Sequence, residues 1–106
     1  MKVLCLGLAQ IIIHKRAETD IDIAMEYYLL QQEGVEKKFI IELEKSFSNL
    51  SIAPFYQVRY FGIRCLPLKK FPFMIHYKVN EEKNQVHVFA VIHTSLNPEK
   101  NWIKNK

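Results

Sequence analysis

Apolar positions along the chain change period twice. Val3-Leu4-Cys5-Leu6, Leu8-Ala9 and Ile11-Ile12-Ile13 make an almost continuous apolar opening whose β-branched end predicts an N-terminal strand. The start resembles the front of a signal peptide, but the run continues into a basic helical segment without a small-residue cleavage site, so a strand is expected instead. From Ala17 the spacing turns helical: Ala17, Ile21, Ala24 and Tyr28 form one stripe, widened by Met25 and Leu29. Glu18, Asp20, Asp22 and Glu26 take the polar positions, weighted toward the end where the helix dipole favours acids. Gly34 suits the left-handed position that ends a helix. A second stripe follows, Val35, Phe39, Leu43, Phe47 and Leu50 with Ile40 beside it, and Glu42 with Lys45 is expected on its outer side. Two amphipathic helices joined by so short a loop predict an antiparallel αα-hairpin.

After Ser51–Pro54 the pattern becomes that of strands, expected at Arg59–Lys69, Phe71–Val79 and Gln85–His93. Asn80–Asn84 reads as a polar hairpin loop and Lys69–Pro72 as a tighter turn. Alternation sorts two faces. Phe71, Phe73, Ile75, Tyr77 and Val79, with Val86, Val88, Ala90 and Ile92, and with Leu66 and Leu68, form the row expected to receive the helices. Met74, His76, Lys78, His87, Phe89, Val91 and His93 fall on the opposite face, which no remaining sequence covers. Phe89 and Val91 in the middle of an uncovered face point to a partner. The expected architecture is α+β: an N-terminal strand, the helix hairpin, then a three-stranded antiparallel meander and a short tail carrying Trp102, all in one domain over residues 1–106.

Composition refines this only a little. With 106 residues and 49% hydrophobic content the chain can bury a core without disulfides or metals. A formal charge of +4 allows an anionic partner without requiring one. Cys5 and Cys65 lie in aliphatic surroundings outside any CxxC spacing, as buried thiols of a reducing, cytoplasmic compartment do. His87 and His93 would stand about 20 Å apart at ~3.3 Å per residue, too far to share a metal. No nucleophile elbow, phosphate-binding glycine loop or zinc motif is present. No metal and no cofactor are expected. Metal-free acid–base chemistry on RNA would need clustered cations, for which Arg59, Arg64, Lys69, Lys70, Lys78 and the tail, with His93 as base, are the candidates.

Four stretches together resemble the RelE/ParE toxins. They are Lys15-Arg16-Ala17-Glu18-Thr19-Asp20-Ile21 with Ala24-Met25-Glu26-Tyr27-Tyr28, then Phe39-Ile40-Ile41-Glu42-Leu43-Glu44. The others are Ile63-Arg64-Cys65-Leu66-Pro67-Leu68-Lys69-Lys70-Phe71-Pro72-Phe73 leading into His76-Tyr77, and Ala90-Val91-Ile92-His93-Thr94 with Asn97-Pro98 and Trp102. Residues 1–9 extend beyond the usual first strand of that family. The resemblance implies the toxin of a bacterial type II toxin–antitoxin pair, silenced by a separate antitoxin whose C-terminal segment wraps it.

The family has two functional branches. A RelE-like chain would cleave messenger RNA on the ribosome with basic side chains on the second, third and fourth strands of the family fold. An ungapped match over the Leu68–Phe73 turn puts Cys65 and Pro67, Met74 and Thr94 at those positions, and none of them can carry phosphate charge. The resemblance therefore implies the ParE-like branch, which has no catalytic centre and binds DNA gyrase. The alternative is a nuclease with a relocated set, Arg64, Lys69, Lys70 and His93. The residues expected to bind antitoxin or target are Arg59, Arg64, Lys69, Lys70, Met74, His76, Lys78, Phe89, His93 and Trp102. Replacing Phe89 with a charged residue is expected to weaken antitoxin binding and spare the fold.

Overall fold

The computed structural model describes residues 2–5 and 8–94. Its elements are β1 (Lys2–Cys5), β2 (Gln10–Ile13), α1 (Lys15–Gln31), α2 (Val35–Ile52), β3 (Val58–Tyr60), β4 (Ile63–Pro67), β5 (Phe73–Asn80) and β6 (Gln85–His93). The class is α+β, as the periodicity predicts. The helices pack against each other and against one face of a six-stranded sheet of order β1-β2-β6-β5-β4-β3.

The helices form where the stripes place them. Phe39, Leu43, Phe47 and Leu50 of α2 and Ala17 and Ala24 of α1 are buried in the main core, with Ile21, Met25 and Tyr28 packed on it. Phe39 is the hub of an aromatic cluster: its ring centroid lies 5.4 Å from Tyr28, 5.4 Å from Phe71 and 5.6 Å from Phe73. Gly34 takes the expected left-handed conformation, φ 89°, and forms the N-cap of α2. Two details differ. Leu29 is exposed, one position off the buried stripe, and Glu42 is buried, 3.9 Å from Lys45 Nζ and 4.0 Å from Lys70 Nζ. A carboxylate so placed can face inward because cations from α2 itself and from the β4–β5 turn meet it there.

The sheet departs from expectation in four ways. The apolar opening is two antiparallel strands, β1 and β2, rather than one, with register from Lys2↔Ile13 to Cys5↔Gln10. β2 then pairs in parallel with β6, so the meander expected as purely antiparallel is joined by a parallel neighbour. The helix hairpin supplies the long crossover that a parallel pair needs. The predicted strand Arg59–Lys69 is itself a hairpin, β3 and β4, reversing at Phe61 (φ 41°) and Gly62 (φ 76°). Positive φ at both central residues matches the tight turns that follow strand twist, and Gly62 supplies one of them without strain.

The fourth departure decides the site. Tyr77 pairs with Val88 but His76 pairs with Ala90, which leaves Phe89 as an extra residue in β6. Before this bulge Val86 and Val88 face the helices, as predicted. Beyond it the alternation is inverted: Val91 joins the main core, while Ala90 and Ile92 join a cluster on the other face. His93 likewise moves to the helix side, its ring 5.4 Å from Phe73. Ala90, Ile92, Val91 and His93 thus occupy faces opposite to those expected.

Candidate functional site

The sheet face away from the helices is not bare. Tyr60, Ile63, Cys65, Ala90 and Ile92 form a second buried cluster there, with Met74 and Phe89 packed on it. His76 lies at its centre, only 1% exposed, although the sequence placed it on an open surface. Its Nδ1 is 2.8 Å from Tyr60 Oη and 3.3 Å from Cys65 Sγ. Burial holds the His76 ring down to about 4, aided by the charges of Arg16 and Arg59, so the ring is neutral, with Nδ1 and the Tyr60 hydroxyl sharing one hydrogen bond. Burial also pushes the Cys65 thiol up to about 11 and raises the Tyr60 phenol. A cysteine beside a histidine suggests a nucleophile. Here both groups are neutral at physiological pH and sealed, so the trio works as packing.

The predicted cations are held by different partners. Arg64 lies on the helix side of β4, donating from Nη1 to Tyr56 O at 2.5 Å and standing 5.4 Å over the Phe55 ring. It clamps the α2–β3 connection, which Tyr77 also holds by donating to Pro54 O at 2.7 Å. Lys69 and Lys70 sit on the β4–β5 turn beside α2, with Lys70 paired to Glu42. His93 borders α1, and exposed Arg59 lies on the β3 edge. Met74, Lys78 and Phe89 do share the face away from the helices. Trp102 lies outside the described residues.

Residues that the sequence reading passed over complete the surface. His14 ends β2 and caps α1, and its Nε2 is 2.8 Å from His87 Nδ1 on β6. Its ring centroid lies 4.5 Å from that of Phe89, the planes tilted by 31°. On the other side, α1 and the ends of β5 and β6 enclose a groove of about 600 Å³ bordered by Arg16, Asp20, Ile23, Tyr27, Phe73 and His93. Asp20 anchors its floor: Oδ2 accepts the Val91 N–H at 3.0 Å and lies 3.6 Å from Arg16 Nε. Ile23 and Tyr27 remain more than half exposed along the rim. The signal for this groove was present in the sequence, since Ile23, Tyr27 and Leu30 repeat at helical spacing off the core stripe.

A sequence model of the ParE toxins of type II toxin–antitoxin systems, of the parDE kind, matches residues 11–98. The chain belongs to the ParE toxin family. No curated protein matches it at a significant level. Among solved structures it is similar to one from the chromosomal ParDE system of P. aeruginosa, at 17% identity and a TM-score of 0.66, covering 81% of this chain and 96% of that one. It is also similar to one from the intact E. coli RelBE toxin–antitoxin complex (17% identity, TM-score 0.52, 78% and 93% covered). A third is the isolated E. coli RelE toxin (14% identity, TM-score 0.51, 90% and 94% covered). At these identities the structural likeness speaks to the fold. The matched family region begins one residue into β2, so β1 lies outside it.

Within this ParE-family fold, the positions on which nuclease chemistry would depend are now located. Cys65 is buried beside His76, Pro67 ends β4 at the exposed margin, and Met74 packs against the second cluster. Thr94 follows β6, its N–H bonded to Pro72 O at 2.8 Å. No described residue at these four positions carries a charge.

Proposed function

We propose that this chain is a ParE-like toxin that acts in the cytoplasm by binding a protein target, DNA gyrase, and that a cognate antitoxin encoded beside it keeps it silent. The observation that carries this reading is the dispersal of charge. Phosphoryl transfer without a metal needs several cations converging on one phosphate. Arg64 is held at Tyr56 O and the Phe55 ring, Lys70 is paired to Glu42 of α2 and His93 lies against Phe73 beside α1, and the histidine nearest the sheet centre is neutral and buried. A protein-binding toxin needs instead a formed apolar surface, and the α1 groove with Ile23 and Tyr27 on its rim fits one. Arg16 and His93 at the groove's edge suit an acidic residue on the incoming segment.

The test is induction of the chain without its antitoxin. Gyrase-linked double-strand DNA breaks with intact transcripts are the expected result. Codon-positioned cleavage of messages with intact chromosomes would replace this reading with the ribosome-dependent nuclease.

The docking surface has its own test. Ile23→Asp is expected to weaken antitoxin binding about tenfold or more, because a charge would be buried in an apolar contact. Calorimetric titration against purified antitoxin checks it. Unchanged affinity for Ile23→Asp together with weakened affinity for Phe89→Asp would move the interface to the opposite face.

A further inference from the structure

We propose that His14 and His87 form a two-imidazole site for a divalent transition metal of the Ni(II), Cu(II) and Zn(II) class. The parallel pairing of β2 with β6 creates it. Ile12 pairs with His87 and the His14 N–H bonds to Val88 O at 2.9 Å, so both backbones are fixed by the same ladder. The two ring nitrogens already stand 2.8 Å apart. Two imidazoles bound in cis to one metal at ~2.0–2.1 Å have their nitrogens about 2.9 Å apart at a right angle and about 3.3 Å apart in a tetrahedron. The rings thus need to turn off the N···N line, with their backbones moving little.

The surrounding contacts favour the required ligand form of His87, and metal binding at His14 moves its proton from Nε2 to Nδ1. His87 Nε2 donates to Gln85 Oε1 at 3.0 Å, and Gln85 Nε2 donates to Gln10 Oε1 at 3.2 Å, so the amide is held with its oxygen toward the ring. That bond keeps the proton on His87 Nε2 and the lone pair on Nδ1, aimed at His14. Metal-ligating histidines are ordinarily oriented by such a bond from the second nitrogen. Phe89, 4.5 Å from the His14 ring and 6.2 Å from the His87 ring, backs both imidazoles. Lys78, opposite His87 across β5, carries its stem over Gly62.

Among the described residues no three His, Cys, Asp or Glu side chains converge, so water fills the remaining coordination positions and the metal exchanges freely. The site is independent of which cellular target the toxin binds.

Titration of the untagged, EDTA-stripped full chain with nickel chloride, and separately with zinc chloride, at pH 7.5 tests it. One metal per chain is expected, with X-ray absorption showing two imidazole ligands. Binding should be lost in His14→Gln and in His87→Gln, weakened about tenfold in Gln85→Leu, and kept in His93→Gln. Circular dichroism confirms that each variant is folded. Absence of binding overturns the site, as does unchanged affinity in both His14→Gln and His87→Gln, or a spectrum with one imidazole or none.

Discussion

Phe39→Ala is expected to lower the unfolding free energy by about 3–5 kcal/mol, a large share of the roughly 5–15 kcal/mol typical of a domain. Phe39 is completely buried, and its ring touches Tyr28 of α1, Phe71 of the β4–β5 turn and Phe73 at the start of β5. Removing it leaves a cavity bounded by other rings, and rings fixed at both ends of a helix-to-sheet contact cannot collapse to fill it. Urea unfolding followed by circular dichroism should show the midpoint moving down with little change in slope. Phe61→Asn is the matched comparison. Phe61 is exposed and sits at positive φ, so asparagine before Gly62 should leave stability unchanged or slightly raised. Equal losses in the two variants would mean that Phe39 is not the hub of the core.

The contrast between these two phenylalanines marks what could be read from the chain. Phe39 belongs to a stripe at helical spacing, and local periodicity reports which side of a helix is buried. For the same reason α2 begins at Val35 and β6 runs from Gln85 to His93, as expected. Phe61 lies in a run with strand composition, where only Gly62 signals the reversal. Period-two reasoning carries its phase forward from residue to residue, so one bulge at Phe89 inverted everything beyond it. His93 was therefore assigned to the wrong face, while Phe89 itself was assigned correctly. The parallel β2–β6 pairing left no local trace at all. It joins residues more than 70 positions apart, and it alone brings His14 to His87. The candidate cations are expected on the rim of an open sheet face, and alternation along a strand says nothing about which partners a long side chain reaches. Arg64 and Lys69 are close along the chain, but Arg64 is held at the α2–β3 connection, donating to Tyr56 O, while Lys69 stands on the β4–β5 turn beside α2.

Acidification should destabilise the protein well above the carboxylate range, and His76 is the reason. Its folded-state value of about 4 lies below the ordinary 6.5, so between those values the unfolded chain binds a proton that the folded chain refuses. Stability is full above about pH 7 and falls as pH drops through 6.5. The loss approaches about 3 kcal/mol near pH 4, at about 1.36 kcal/mol per unit of difference. His14, also lowered by burial, acts in the same direction. Asp20, raised by burial, acts in the opposite direction, and the His76→Asn comparison isolates the histidine's part because Asp20 is common to both chains. Protonation would also put a charge between Tyr60 and Cys65 in a site closed to water, with Arg16 and Arg59 adding repulsion. His76→Asn offers a side-chain oxygen where Nδ1 stood, preserving an acceptor for Tyr60 Oη, and has no proton to bind. Urea midpoints at pH 7.5, 6.5, 5.5 and 5.0 should decline for the unchanged chain and flatten for His76→Asn, whatever the variant's absolute stability. A profile as flat for the unchanged chain as for the variant would mean that His76 is protonated and accommodated in the folded state, and that the second cluster is open to water.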